Sequence, residues 1–362
     1  MEAGVFMNNE NQIHGLTLNS RYYALPDLIQ FCKDEIDAEK EPDWKLDVYR
    51  FIIDFLSDSE YILQQTSGTT GAPKSIELPK TAMLTSAKNT IDFFQLKEND
   101  VAVLCLPIRY IAGKMMMVRA LLGGLNLHFV EPLGTPKLSG LAKIDFCAMV
   151  PMQATQLLEK EKWPNLKTLI LGGAETGLEL KKLLQEVDTQ VYETYGMAET
   201  CSHVALKMLN GETANDIFTA LPEVNLSMDK RECLVIEAAY LPEKVITNDR
   251  VELLAPNRFK WLGRYDHVIN SGGIKIQPEM LEKQFSEKLK LPCVVMGIPD
   301  QLLGQKMILI VESTSQKNSE DLISQLKPHF NKKMLPKQIY SVKEFPRNKS
   351  FKVDREALLR LI

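Results

Sequence analysis

Residues 66–75, TSGTTGAPKS, bring hydroxyl side chains, two glycines and one lysine together on a single segment. Hydroxyls and backbone amides can bind phosphate oxygens, glycine lets the backbone approach closely, and lysine supplies a point charge. The segment therefore predicts a loop that wraps a polyphosphate, as opposed to an ordinary flexible turn. The residues assigned to phosphate binding are Thr66, Ser67, Gly68, Thr69, Thr70, Gly71 and Lys74.

This loop differs from the Walker loop of P-loop NTPases. The Walker pattern G-x-x-x-x-G-K-[ST] requires glycine where Pro73 stands, and proline has no N–H to donate to a phosphate. Residues 75–78 alternate like a strand and run into Pro79, so no helix is predicted to begin there and face the phosphates. The loop therefore indicates a different kind of phosphate site.

Four further segments follow in order, and each combines glycines or a turn with a charged residue. They are Gly172-Gly173-Ala174-Glu175, Tyr195-Gly196-Met197-Ala198-Glu199-Thr200, Thr247-Asn248-Asp249, and Gly263-Arg264-Tyr265-Asp266 with the glycine loop 269–276. A last segment, PRNKSFKVDR, covers residues 346–355. In this order the motifs resemble those of the acyl-adenylate-forming (AMP-binding) enzymes, which include acyl-CoA synthetases, luciferases and peptide-synthetase adenylation domains.

The resemblance implies roles for these residues. The turn formed by Gly172, Gly173 and Ala174 passes against the adenine, which Tyr195 also flanks within the segment that contains Gly196 and Thr200. Glu199 holds Mg²⁺ on the ATP phosphates, and Asp249 accepts from both ribose hydroxyls. Arg264 belongs to the hinge motif, and Gly272, Gly273 and Lys275 belong to the glycine loop that follows it. Each segment taken alone is equally typical of an ordinary turn.

The resemblance also implies a two-step reaction that uses ATP, Mg²⁺ and coenzyme A. Lys352 carries the charge for adenylation, with Glu199 and Thr66 as the other catalytic residues, and Lys349 is the competing candidate for the lysine. Asp266 is predicted to be the hinge about which a C-terminal domain rotates between the two steps.

The sequence departs from the family pattern at three positions: Ala198 stands for the usual Ser or Thr, and Asn248 and Phe351 each stand for a glycine. A fourth departure, Tyr110 where a histidine is common, belongs to a segment that is similar to a narrower group of these enzymes. Asparagine tolerates the left-handed backbone conformation better than most residues, so the turn at Asn248 can survive.

Two segments are similar to those of o-succinylbenzoate–CoA ligases, namely LPIRYIAG (106–113) and VPMQATQL (150–157). That acid is a dianion, and its unactivated carboxylate requires a cation. The predicted substrate-binding residues are Arg109, Tyr110, Lys114 and Arg119, although the basic ones are also typical of the exposed face of an amphipathic helix. Another small aryl- or acyl-CoA ligase and a non-catalytic nucleotide-binding relative remain as alternatives.

The elements that must position these residues are predicted from alternating apolar runs and helical patterns. We expect an α/β fold: a large N-terminal α/β domain (1–265) with mixed sheets and a small β-rich subdomain at about 203–262, and a smaller, mobile α+β domain (266–362). Only about sixty residues precede the phosphate loop, so a shortened N-terminal region is expected.

The composition of this 362-residue chain argues against two classes of partner, nucleic acids and membranes. Its net charge of −4 gives no basic field, so nucleic acid is not expected as a partner. No apolar stretch approaches the length of a membrane helix, so no membrane insertion is expected. The six cysteines are scattered without a C-x-x-C pair, which indicates reduced core residues of a cytoplasmic protein.

Overall fold

The computed structural model describes residues 13–66, 74–315, 317–348 and 353–362. Strands and helices alternate along these residues, which confirms the predicted α/β fold. Up to residue 220 the strands are β1 (Gly15–Leu18), β2 (Arg21–Ala24), β3 (Tyr61–Thr66), β4 (Lys74–Pro79), β5 (Val101–Leu104), β6 (Asn126–Phe129), β7 (Ile144–Met149), β8 (Leu166–Leu171), β9 (Gln190–Gly196), β10 (His203–Met208) and β11 (Phe218–Ala220). The helices are α1 (Leu25–Ala38), α2 (Asp43–Phe55), α3 (Lys80–Phe94), α4 (Ile111–Gly123), α5 (Pro151–Lys160) and α6 (Leu178–Leu183).

A mixed sheet organises this part of the chain, with the strand order β11-β10-β9-β8-β7-β5-β6-β1-β2. The strands from β9 to β1 run parallel, whereas β10, β11 and β2 are antiparallel to their neighbours. Every residue of β7 is buried, as expected for a parallel strand that is covered on both faces. In such sheets ligands bind beyond the carboxyl ends of the strands, and β8 and β9 end at Leu171 and Gly196, beside two of the predicted motifs.

The β3–β4 hairpin stands apart from this sheet and flanks the predicted phosphate loop. The two strands pair antiparallel, and Thr66 lies opposite Lys74 at the end of the ladder. The segment after the loop is therefore a strand, as the alternation of residues 75–78 predicts, and a helix begins only at Lys80.

The rest of the chain has strands β12 (Val224–Met228), β13 (Cys233–Ala238), β14 (Val245–Ala255), β15 (Arg258–Arg264), β16 (Ile269–Ser271), β17 (Ile274–Ile276), β18 (Cys293–Asp300), β19 (Gly304–Glu312) and β20 (Gln338–Val342). Its helices are α7 (Pro278–Leu289), α8 (Ser319–Leu326) and α9 (Arg355–Leu359). β12 to β15 lie side by side in that order. The prediction that the stretch at about 203–262 is rich in β-strands is therefore confirmed. β17, β16, β19 and β18 form a second sheet, and β20 pairs parallel to β19.

The chain divides into two compact units. The first comprises residues 1–176, 180–225 and 237–245, and the second comprises residues 177–179, 226–236 and 246–362. The second unit thus includes strands that the sequence interpretation assigns to the N-terminal domain. The division at residue 265 into a large and a mobile domain stays a prediction.

All six cysteines are buried and free, as expected of core residues. Within the described ranges, none of the helices combines the length and the apolar character that crossing a membrane requires.

Candidate functional site

The phosphate loop itself can be located only by its flanking strands. Ser67, Gly68, Thr69, Thr70 and Gly71 lie outside the described residues. The same is true of Lys352 and its competitor Lys349, while Thr66 is described only as the last residue of β3. Lys74 lies at the start of β4 with an exposed side chain.

The turn at Gly172 and Gly173 follows β8 directly and packs against β9. A side chain at Gly172 would place its Cβ 2.6 Å from the Thr194 hydroxyl, and Gly173 has a φ of +83°. Both positions therefore require glycine, because one lacks space and the other lies in the left-handed region. Ala174 follows them and is exposed.

A buried ion pair fixes this turn to the sheet. Glu193 on β9 accepts from the backbone N–H of Thr176 at 2.9 Å and pairs with Lys207 of β10, also at 2.9 Å. Both charged side chains are only 5% exposed, so each compensates the other. Sequence reasoning assigned no role to Glu193, although it directly precedes the Thr194-Tyr195-Gly196 segment.

The end of β9 delivers Tyr195 and Glu199 to a tight turn. The Tyr195 ring lies 5.7 Å from that of Phe218. A side chain at Gly196 would place its Cβ 2.2 Å from the Ser202 carbonyl oxygen, so the chain can reverse there only with glycine. A single turn of 3₁₀ helix then spans Ala198–Thr200 and leaves Glu199 exposed.

Thr200 is buried, whereas its neighbour Glu199 is exposed. Through its hydroxyl, Thr200 donates to the Ser202 carbonyl at 2.6 Å and accepts from the Met197 N–H at 3.0 Å. Its hydroxyl therefore holds the turn that presents Glu199. Ligand contact by Thr200 itself stays a prediction from the motif.

The carboxylate of Glu199 suits a Mg²⁺ ion that is held mainly by the phosphates of a bound nucleotide. Glu199 is exposed, and among the described residues no group of three His, Cys, Asp or Glu side chains could enclose a metal ion. Mg²⁺ typically takes one or two carboxylates and completes its shell with phosphate oxygens and water. A single exposed carboxylate at Glu199 fits that pattern.

Asp249, the predicted ribose ligand, is a buried carboxylate on β14. The Trp261 Nε1–H donates to its Oδ1 at 3.2 Å, and its backbone N–H donates to the Thr247 hydroxyl at 3.0 Å. Arg264 on β15 lies opposite in the ladder, with a guanidinium nitrogen 3.8 Å from Oδ1. These contacts hold the carboxylate in a fixed orientation.

Arg231 supports the same part of β14 and was not recognised in the sequence. It donates to the Asn248 side-chain oxygen at 2.9 Å and to the Thr247 carbonyl at 3.0 Å, and it also pairs with Asp229. Asn248, which replaces the family's glycine, lies within strand β14 and does not have a positive φ, so the turn that the sequence predicts at this position is wrong. Its side chain is instead a hydrogen-bond partner of Arg231, which lies 17 residues earlier in the chain.

The predicted hinge, Asp266, lies in a 3₁₀ turn and is held by Arg264 through two hydrogen bonds of 3.0 and 2.8 Å. Burial works to raise the pKa of Asp266, but the hydrogen bonds and charge of Arg264, together with the charge of His267, hold that pKa below the ordinary value. Gly272 and Gly273 form the two-residue turn of the β16–β17 hairpin with φ of +59° and +79°. Lys275 is exposed on β17.

The basic residues around α4 have three different environments. Arg109 is exposed and lies over the Tyr110 ring at 5.0 Å. Lys114 donates to the Leu63 carbonyl of β3 at 2.8 Å, and burial lowers its pKa. The alternative that all of these residues lie on an exposed helix face is wrong for Arg119, which is 1% exposed.

Arg119 occupies a buried polar cluster with two residues that the sequence analysis missed. Its Nη2 donates to the hydroxyl of Ser202 at 2.7 Å and lies 3.5 Å from Nδ1 of His203. Its Nε is buried without a hydrogen-bond partner in the described part of the chain. The only sequence signal for Ser202 and His203 is their position directly after the Tyr195–Thr200 motif.

Comparison with known proteins gives the family. A family model described as AMP-binding enzyme matches residues 30–233. The 2-succinylbenzoate–CoA ligase of Salmonella typhimurium (strain LT2) is 27% identical over 309 residues, which cover 81% of this chain and 67% of that protein.

Two solved structures share the fold. An acyl-CoA synthetase (AMP-forming)/AMP-acid ligase II-like protein from Dyadobacter fermentans is 34% identical with a TM-score of 0.59, covering 91% of this chain and 98% of its own. The o-succinylbenzoate CoA synthetase (MenE) from Bacillus subtilis, in complex with the acyl-adenylate intermediate OSB-AMP, has a TM-score of 0.78 at 17% identity, with 95% of each chain covered. The chain therefore belongs to the AMP-binding enzymes, and the predicted enzyme class, an AMP-forming acid–thiol ligase, is confirmed.

Proposed function

We propose that this enzyme joins a carboxylic acid to coenzyme A through an acyl-AMP intermediate, and that the acid carries a second carboxylate. The first candidate is o-succinylbenzoate, the acid named in several relatives. The observation that carries the proposal is Arg119, a buried guanidinium that pairs with no carboxylate among the described residues.

A buried cation without an anion is unfavourable because burial removes the water that stabilises the charge. Burial accordingly lowers the pKa of Arg119 to about 9, so the side chain is still protonated at neutral pH. A bound anion would compensate this charge. A monoacid uses its only carboxylate in the reaction with ATP, whereas a dianion keeps a second one for Arg119.

Ser202 offers a route from this buried charge to the substrate. Its side chain is half-buried, and its hydroxyl oxygen accepts from Arg119 at 2.7 Å. A hydroxyl that accepts from a guanidinium keeps its own proton for an acceptor. We infer that the second carboxylate contacts Arg119 either directly or through the Ser202 hydroxyl.

The reaction proceeds in two steps. A carboxylate oxygen attacks the α-phosphorus of ATP, the bond to the β-phosphate breaks, and acyl-AMP and pyrophosphate form. The thiol of coenzyme A then attacks the acyl carbon and AMP leaves. We assign the phosphate contacts to loop 66–75, the ribose to Asp249 and the charge on the α-phosphate to Lys352. Mg²⁺ bound at Glu199 would neutralise phosphate charge.

The substrate assignment is tested by removing the charge at Arg119. Arg119→Met should lower kcat/KM for o-succinylbenzoate by about ten- to over a hundredfold, because a charge-assisted hydrogen bond is worth roughly 1.5–3 kcal/mol. The loss should be far smaller for 4-oxo-4-phenylbutanoate, which lacks the ring carboxylate. The KM for ATP should stay nearly unchanged. Pyrophosphate release with each acid is the measurement.

Arg109→Met is the comparison variant, because it removes an exposed cation that the sequence analysis also assigns to the acid; a larger loss in Arg109→Met would move the contact from Arg119 to Arg109. Equal behaviour of Arg119→Met and the wild type, or a wild type that prefers the monoacid, would remove the dianion from the proposal and leave another small aryl- or acyl-CoA ligase. If a panel of acids yields no pyrophosphate at all, the protein is a non-catalytic nucleotide-binding relative.

A further inference from the structure

His203 supports Arg119 from within the same buried cluster. It is the first residue of β10 and is 5% exposed. Its Nδ1 faces Nη2 of Arg119 at 3.5 Å and the Ser202 hydroxyl at 3.4 Å, while its Nε2 faces the Thr90 hydroxyl of α3 at 3.3 Å. The imidazole therefore bridges α3 and α4 at the Arg119 guanidinium.

These contacts assign the proton on the ring. An arginine can only donate, so Nδ1 must carry the lone pair and the proton must lie on Nε2. The Nε2–H then donates to the Thr90 hydroxyl, whose own proton goes to the Ser86 carbonyl at 3.1 Å. Burial and, second, the Arg119 charge hold the pKa of His203 well below its ordinary value, in agreement with a neutral ring.

A neutral imidazole at His203 affects the charge of Arg119 differently from a carboxylate. A carboxylate at this position would fix Arg119 but would also neutralise it. The imidazole accepts a hydrogen bond and leaves the positive charge of Arg119 available to another anion. A histidine that only fills space in the core would require neither this tautomer nor this partner.

We infer that His203 is a positioning residue that orients Arg119 toward the second carboxylate of the acid and thereby sets the preference for dianionic acids. The inference rests on the proposed function, since it assumes that such an acid is the substrate.

Two amide variants separate the two faces of the ring. His203→Asn keeps an acceptor near the Nδ1 position, whereas His203→Gln places an amide nitrogen near Nε2 and loses the acceptor for Arg119. We expect His203→Gln to lower kcat/KM for o-succinylbenzoate about tenfold, mainly through KM, and His203→Asn to retain most of it. Use of 4-oxo-4-phenylbutanoate should change little in either variant.

A third variant tests the charge argument. His203→Asp would pair with Arg119 and neutralise it, so dianion use should fall further than in His203→Gln although Arg119 remains in place. In an Arg119→Met background His203→Gln should have no further effect on dianion use, because the two residues act on one contact. If His203→Gln fails to fold by circular dichroism, the Asn and Asp variants carry the same comparison.

The outcomes distinguish the inference from the proposed function. A wild type without preference for the dianion overturns both. A wild type with that preference, combined with equal losses for both acids in the His203 variants, overturns only the role of His203. Additive losses in the double variant would also reject that role.

Discussion

At the scale of single residues, two lysines compete for the α-phosphate. Lys352 and Lys349 are three positions apart, and only Lys352 is followed by the Val-Asp-Arg context of the family motif. Both lie outside the described residues, so the assignment rests on sequence alone.

Lys352→Ala should reduce acyl-AMP formation by roughly 10²-fold or more, as expected when a preorganised charge is removed. Thioester formation from supplied acyl-AMP should continue, because the charge acts only in the first step. Each half-reaction is measured separately, and Lys349→Ala is the control. A larger loss in Lys349→Ala would reverse the assignment.

Residues that are close in the sequence could be predicted, and residues brought together by folding could not. Glu199 and the glycines at 172 and 173 belong to motifs that are readable in order along the chain. Arg119 and His203 are 84 residues apart, and neither has a pattern that points to the other. Only the folded structure shows that Arg119 contacts Ser202 and His203 and lacks a carboxylate partner among the described residues.

At the scale of elements, the strands of the parallel sheet were predictable because each is a short apolar run between turn residues. The surroundings of α4 were not. Its apolar spacing predicts a helix, which the structure confirms over Ile111–Gly123. However, the burial of one helix residue depends on neighbours from other elements, and a buried arginine has the same sequence pattern as an exposed one.

The first residues of β14 give a prediction at this scale. Arg231→Met should raise the KM for ATP about three- to tenfold, because it removes the hydrogen bonds that hold Asn248 and Thr247 beside Asp249. Lys230→Met is the matched control, since it removes an adjacent exposed cation. Initial rates over a range of ATP concentrations measure the effect. An unchanged KM for ATP in Arg231→Met would show that this part of β14 does not need this support.

At the scale of the whole molecule, the sequence predicted a large α/β part followed by a smaller one, and two compact units are present. The predicted division is a single cut in the chain, whereas each unit takes several separate segments. The residue pattern along a chain shows where helix-and-strand alternation gives way to short strands. A unit that is built from separate segments is instead defined by contacts between strands that are distant in the sequence. The rotation at Asp266 stays a prediction from the family resemblance.

Asp266→Pro tests that rotation. Proline pins φ, so the variant should retain one half-reaction and lose the other. Asp266→Ala is the matched control, because it also loses both hydrogen bonds from Arg264 but leaves the backbone free. Rates of acyl-AMP formation and of thioester formation are compared. If proline and alanine reduce both half-reactions equally, Asp266 has a purely structural role.

The contacts that β3 makes with α4 and with the segment just before α4 relate the two substrates of the first step. Lys114 donates to the Leu63 carbonyl at 2.8 Å, and Gln64 donates to the Arg109 carbonyl at 3.2 Å. α4 carries the proposed acid contact, while β3 leads into the phosphate loop. Because binding linkage is reciprocal, any factor by which ATP tightens acid binding is also the factor by which the acid tightens ATP binding. The order in which the two substrates bind would then change the rate of reaching the ternary complex, but not its final occupancy.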